Sequence, residues 1–268
     1  ARIALRVPIA VAMIAVGAAG LTVLIGFGPT TGLLRSLPYE FAANWALSSL
    51  PTFLVMGYVA YHAKLTQGLF RAAKLWLSAL PGGLAIATVF GAAAFSALSG
   101  SSVACAAAMG KIAVPEMRRN GYSVRLATGT VAAAGTLGPL IPPSILMILY
   151  GIFIQQSISK LFLAGLAVGL MTAAAYVVTI VLWATMHPAA APRLVEKASR
   201  AERLAALRET APSIVLVVLV FGGLFGGLFT ASEAGALGAA LAVAMGFLRR
   251  SLDWKTLRLA LEESLSTT

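Results

Sequence analysis

The sequence predicts an all-α, polytopic membrane protein, and three observations carry that prediction. Only 11% of the 268 residues are charged while 59% are hydrophobic, with a mean hydropathy of +0.91; a soluble domain carries roughly 25% charged residues to make its surface. The charges are separated by long neutral runs, residues 7–34, 41–63, 75–110, 126–159, 161–192 and 210–232. Each run is at least as long as the ~20 apolar residues a helix needs to cross the bilayer core. The ten-residue alternation of apolar and polar positions expected of a transmembrane barrel is absent.

The net charge of +11 would suggest nucleic-acid binding in a soluble protein. In a membrane protein the same residues read as cytoplasmic loop charges, so nucleic acid is not an expected partner. The single cysteine, Cys105, has no internal disulfide partner and reads as a small packing residue in an apolar run. His62 and His187 have no acidic or cysteine neighbours at ligand spacing, so a metal site of that kind is not expected. Asp253 is the only aspartate, which excludes Asp-rich metal motifs. No grouping of nucleophile, base and carboxylate supports an enzyme. The start of the chain, Arg2 and Arg6 before an apolar run, is like a secretory signal, but the run is too long for a signal core. A start at Ala1 suggests that the natural N-terminus lies upstream.

Loop charges orient the crossings. With Arg2 and Arg6 inside, a first helix at about 7–27 leads out, the connection with Arg35 and Glu40 lies outside, and a second helix at about 45–63 returns to Lys64, Arg71 and Lys74. Residues 1–63 form the first part, a scaffold of transmembrane helices. Residues 64–82 follow as an arm. Leu65, Leu69, Ala72, Ala73, Trp76 and Leu80 recur at helical spacing with Lys64, Gln67, Arg71 and Lys74 elsewhere, which suits an amphipathic helix in the cytoplasmic interface with Trp76 at headgroup level.

The run 75–110 is 36 residues long. As one helix it would span about 54 Å, against a core of roughly 30 Å, and it would put Lys111, Arg118, Arg119 and Arg125 outside. Ser99, Gly100, Ser101 and Ser102 at its middle permit a tight turn. Residues 83–114 are therefore read as a re-entrant helical hairpin. The run 126–159 is also too long, and Gly135, Gly138, Pro139, Pro142 and Pro143 cannot lie in continuous helix. It reads as a discontinuous crossing that exits near Gln155 and Gln156. Hairpin and broken helix make up residues 83–160. A returning helix and a basic loop, with Arg193, Lys197, Arg200, Arg203 and Arg208, occupy 161–211. The last part, 212–268, begins with a crossing from Pro212 to Phe229. Thr230 and Glu233 there fit a capping box. Under this topology 18 of the 20 lysines and arginines are cytoplasmic.

Broken backbone at membrane depth is tolerated only where it is buried in protein or lines a cavity, and it points to a transporter site. Half-helix N-termini bring partial positive charge, and unwound carbonyls with serine and threonine hydroxyls supply hard oxygen ligands suited to a small cation such as sodium. Neither broken segment contains an Asp, Glu, Lys or Arg, so a carboxylate proton relay is disfavoured. A gated channel would use irregular backbone as well. Ser101 and Ser102 could simply cap the turn, Gly100 and Gly138 could serve backbone geometry, and Pro142 and Pro143 could hold the break open.

At these residues the chain resembles the large membrane subunit of the tripartite ATP-independent periplasmic (TRAP) transporters. The resemblance runs through Phe90-Gly91, Ser99-Gly100-Ser101-Ser102-Val103-Ala104, Pro115-Glu116-Met117 and Gly121-Tyr122. It continues through Gly135-Thr136-Leu137-Gly138, Ile141-Pro142-Pro143-Ser144-Ile145, Tyr150-Gly151, Ser157-Ile158 and Leu161-Phe162-Leu163-Ala164-Gly165. Residues 226–234 are similar to that family's G-x-F-T-P-T-E-A, with Ala231 in place of a common proline. Cys105 stands where members often have Asp or Thr. The resemblance implies an elevator-type member of the ion-transporter superfamily. Its sodium-coupled uptake of an organic acid, of the dicarboxylate type for example, would be served by a small membrane subunit and a periplasmic binding protein in a bacterial inner membrane, with no cofactor beyond the coupling ion. It implies substrate and ion contacts at Ser99, Gly100, Ser101, Ser102, Thr136, Gly138, Pro139, Ile141 and Ser144, with sodium held through Ser99, Gly100, Ser101 and Gly138. It further implies that 1–211 is the first inverted repeat and that 212–268 opens the second. An uncoupled channel or scaffold subunit is the alternative function.

Overall fold

The structure, a computed structural model, describes residues 9–192 and 199–267. Arg2, Arg6, Arg193 and Lys197, on which part of the expected topology rests, lie outside them. The described residues form twelve α-helices and two short 3-10 turns, with no strand among them.

Two compact units divide the chain, residues 1–47 and 48–268. The first holds α1 (Ile9–Ile25) and α2 (Phe27–Ala42). Gly26, at φ 91°, separates them, a left-handed turn that glycine takes without strain. The sequence reading gave residues 28–44 only as an external connection. They are mostly helix, with Pro38 accommodated inside it.

The second unit has two apolar cores. One forms where α3 (Ser49–His62) packs along α11 (Ala231–Leu248) and α12 (Trp254–Thr267). Small residues permit the close approach: a Cβ on Gly238 would overlap Met56, and one on Gly57 would lie 2.7 Å from the Leu98 carbonyl oxygen. Phe53, Met56, Phe162, Leu216 and Val220 fill this core. The other core surrounds α5 (Gly83–Ser99), which is buried on nearly every side. A helix apolar all round belongs in the interior, and α5 is enclosed by α4 (Gln67–Leu77), α6 (Ser102–Arg119), α7 (Val124–Gly135) and α9 (Ile158–Met186).

Part of the stretch expected as an arm, residues 64–82, is helical as α4 (Gln67–Leu77), and it packs against protein. Phe70 is buried, and a Cβ on Gly91 of α5 would lie 3.4 Å from its Cα; a Cβ on Gly68 would lie 3.1 Å from Glu209 and 3.2 Å from Thr210 of α10 (Arg200–Phe225). Trp76 remains 54% exposed, with the Arg203 guanidinium 5.8 Å from its ring centre.

The helix expected from Pro212 to Phe229 begins earlier and ends sooner, at Arg200 and Phe225. Its start is fixed by a capping box: the Ser199 amide donates to Glu202 Oε2 (2.8 Å), and the Glu202 amide donates to Ser199 Oγ (3.1 Å). Pro212 is internal, and the following Ser213 hydroxyl donates to the Leu65 carbonyl. The second capping box is found as expected, with the Thr230 amide donating to Glu233 Oε2 (2.8 Å) at the head of α11.

Among the described residues three helices, α9, α10 and α11, are long and apolar enough to cross a membrane. Leu163, Leu170, Met171, Val178 and Leu182 stand exposed along α9, and Val218 and Leu219 along α10. An apolar surface of that extent suits hydrocarbon rather than water.

Candidate functional site

The hairpin forms from local signals. α5 ends where Gly100 adopts φ 61°, its amide donating to Ser96 O (2.9 Å). Ser101 then caps α6, its Oγ accepting from the Ala104 amide (3.3 Å). Cys105 locks the two arms together: the Ser96 hydroxyl lies 3.5 Å from its sulfur, which lies 3.5 Å from the Ala92 carbonyl oxygen. The thiol is fully buried, as its packing role predicts. At the far end Lys74 of α4 pairs with Glu116 of α6. That ammonium holds the Glu116 carboxyl below the usual glutamate range, against an opposing push from partial burial.

The break opens where α7 stops at Gly135 and ends where Ser144 caps α8 (Ile145–Phe153), its Oγ accepting from the Met147 amide (3.4 Å). Between them Leu137, Gly138, Ile141, Pro142 and Pro143 are buried, so the irregular backbone is sheltered. The Pro142–Pro143 peptide is cis. Among the hydrogen bonds of the described residues, none is accepted by the carbonyls of Gly138 and Pro139.

The hairpin tip docks into this break. A Cβ on Gly138 would lie 2.6 Å from the Ser102 amide nitrogen, one on Gly135 would lie 2.9 Å from the Ala106 methyl, and one on Gly100 would meet the Pro143 carbonyl oxygen. Gly100 and Gly138 thus permit backbone to touch backbone, and Gly135 admits the Ala106 methyl, where a side chain would intrude. The N-termini of α6 and α8 and the C-termini of α5 and α7 meet at this junction. It therefore collects two partial positive and two partial negative helix ends without a formal charge.

Of the sequence-expected residues, Ser99, Gly100, Ser101, Ser102, Gly138 and Ser144 gather at this junction. Ser99 Oγ is buried with no hydrogen-bond partner among the described residues, a hydroxyl left for a ligand. Ser144 is fully buried and Ser101 is half-buried; both hydroxyls are engaged as caps. Thr136 and Ile141 turn instead toward α9, while Pro139 stays in the break. Thr136 bonds the Tyr176 hydroxyl (2.8 Å). Ile141 packs against Gly169, and Pro139 is half-buried.

A cavity of about 240 Å³ opens beside the tip, lined by Ser99 and Ser101, by Tyr58 and Tyr61 of α3, by Lys111 of α6 and by Glu263 of α12. Glu263 is engaged with His62 Nε2 (2.8 Å). Lys111 has no acidic partner among the described residues. The sequence reading missed the tyrosines and Glu263 and took Lys111 for a loop charge. The i, i+3 spacing of Tyr58 and Tyr61 puts them on one helix face, but nothing local says what that face meets.

The model of the family described as the DctM component of the tripartite ATP-independent periplasmic transporters matches residues 1–268. The chain belongs to this family. It is 38% identical over 227 residues to the C4-dicarboxylate TRAP transporter large permease protein DctM of Pseudomonas aeruginosa, covering 83% of this chain and 52% of that protein. It is 33% identical over 256 residues to the isethionate TRAP transporter permease protein DctMQ of Oleidesulfovibrio alaskensis, covering 92% and 38%. Identity to the sialic acid TRAP transporter permease protein SiaT of Haemophilus influenzae is 31% over 229 residues, covering 84% and 36%. The chain thus spans about half the length of the first of these relatives and less of the others. The DctM family is one of transporter permeases, not of enzymes.

Proposed function

We propose that this chain forms the hairpin-and-break half of a DctM-type permease that takes up an organic anion together with sodium. The observation that carries the reading is the docking of the tip into the helix break, which leaves Ser99 Oγ unpartnered and the Gly138 and Pro139 carbonyls free. Sodium, the co-transported cation, takes neutral oxygen ligands of this kind, and Ser99, Gly100, Ser101 and Gly138 supply them. The unpaired Lys111 ammonium and the N-termini of α6 and α8 favour an anion in the adjoining cavity, so a carboxylate substrate fits beside the ion.

The hairpin enters the membrane from the cytoplasmic side and turns back. α5 has 17 residues and α6 has 18, about 26–27 Å each, at the lower limit of what a ~30 Å core requires, and the tight turn at Gly100 that docks in the break favours a re-entrant hairpin. The Lys74–Glu116 pair joins the arm to the basic end of α6, which supports placing both on one side. Movement of this half against a membrane-fixed scaffold is the elevator step. The wider assembly includes a small membrane subunit and a periplasmic binding protein, in a bacterial inner membrane. The relatives carry substrates as different as C4-dicarboxylates, sialic acid and isethionate in their names; what these share is an acidic group.

Uptake of candidate acids into proteoliposomes holding the full-length permease and its partners tests this. The expected result is accumulation with external sodium and none with potassium. Accumulation that persists when potassium replaces sodium would instead mean an uncoupled channel.

A further inference from the structure

We propose that a lateral groove between α7 and α9 binds one anionic phospholipid of the cytoplasmic leaflet, its phosphate at Arg125 and an ester carbonyl at Thr130. The groove, about 340 Å³, is lined among others by Arg125, Gly129, Thr130 and Ala133 of α7 and by Tyr176 and Trp183 of α9. The two helices run antiparallel, since Thr136 bonds Tyr176 at one end and the Ser123 amide donates to Ala190 O at the other. Arg125 and Trp183 therefore share one end of the groove, and Ala133 and Tyr176 share the other.

Three features select an amphiphile with an anionic head. The walls are mostly apolar, as an acyl chain requires. Arg125 is exposed with no acidic partner among the described residues, and the nearby end of α6 adds Arg118 and Arg119, so the local field is positive. Basic pockets between membrane helices on the cytoplasmic side suit anionic lipid heads. Trp183, stacked on His187 at 4.8 Å between ring centres, stands at the same level, where aromatic rings favour the headgroup region.

The third feature is Thr130. Its Oγ1 is buried with no partner, whereas Thr128 beside it and Thr179 across the groove each return a hydrogen bond to their own helix (2.9 and 2.8 Å). Thr130 lies five residues above Arg125, about 7.5 Å along the axis. That offset suits a glycerol ester below a phosphate, and a hydroxyl that can donate suits an ester carbonyl.

Gly129 supplies a clean test, because a Cβ there meets nothing within 4 Å. Full-length permease in detergent is titrated with phosphatidylglycerol, phosphatidylcholine and inorganic phosphate, and bound lipid is read by native mass spectrometry alongside the melting temperature. Phosphatidylglycerol is expected to bind more tightly than phosphatidylcholine, and phosphate is not expected to compete. Arg125→Gln should lower phosphatidylglycerol affinity roughly fivefold, from the ~1 kcal/mol a basic residue contributes at an anionic surface. Thr130→Val should weaken both lipids. Gly129→Leu should remove the bound lipid without lowering the lipid-free melting temperature. Equal lipid binding by wild type and Gly129→Leu, or displacement of phosphatidylglycerol by phosphate, overturns the proposal. A photo-crosslinker at position 129 in native membranes separates the remaining occupant: a phospholipid adduct supports the lipid, and an adduct to another polypeptide refutes it.

Discussion

Replacing Gly100 by alanine probes the contact on which the site depends. Gly100 sits at φ 61°, and a Cβ there would meet the Pro143 carbonyl oxygen. Two costs arise. A left-handed conformation costs a residue with a side chain roughly 1–2 kcal/mol, and forcing a methyl into packed backbone costs about 1–3 kcal/mol more. Gly227 is a matched control: its φ is 74° with nothing within 4 Å of a Cβ, so Gly227→Ala incurs only the first cost. At about 2–4 °C per kcal/mol for a chain of this size, Gly227→Ala should lower the melting temperature by a few degrees and Gly100→Ala by roughly twice as much. Sodium-dependent uptake should be lost only in Gly100→Ala, since only that change lifts the tip from the break. Equal melting shifts, or full uptake by Gly100→Ala, would refute the docking of tip and break.

Other consequences can be measured directly. The depressed Glu116 carboxyl contributes stability that is present above the ordinary glutamate value of 4.5 and is lost as pH falls below it toward the folded value; Glu116→Gln should flatten that acid limb in a thermal-shift pH series. Thr230→Ala removes an N-cap and should cost about 1 kcal/mol, seen as a lowered melting temperature with uptake retained. Cysteines introduced at Arg71 and Arg119 should both react with an impermeant maleimide from the cytoplasmic side; labelling from opposite sides would rule out a hairpin that turns back.

Much of this architecture was legible because its signals are local. The α5–α6 hairpin follows from an uncharged run too long for one helix with serines and a glycine at its centre, and the break follows from prolines and glycines that helix geometry cannot absorb. Cap patterns were equally local. Thr230 with Glu233 was read correctly, while Ser199 with Glu202, the same pattern, was passed over, and with it the early start of α10. Pro212 misled because a proline inside a packed helix can be tolerated, as it is within α10. The cavity beside the tip was not legible at all: His62 meets Glu263 across 201 residues, and Thr136 turns to Tyr176 forty residues on. Such pairings come from packing, which one-dimensional spacing does not encode.

The most direct test of an ion site at this junction is sodium-dependent thermal stabilisation of the full-length permease, wild type against Ser99→Ala. Ser99 Oγ is buried without a partner, so in sodium-free buffer its removal relieves an unsatisfied polar group and should leave the melting temperature unchanged or slightly raised. Stabilisation by a ligand that binds only the folded state grows as RT ln(1 + [L]/Kd), and loss of one oxygen ligand should weaken sodium binding roughly tenfold, from about 1–2 kcal/mol. The account predicts a Ser99→Ala protein at least as stable as wild type without sodium and stabilised only at about tenfold higher sodium. An unchanged sodium response in Ser99→Ala would contradict it.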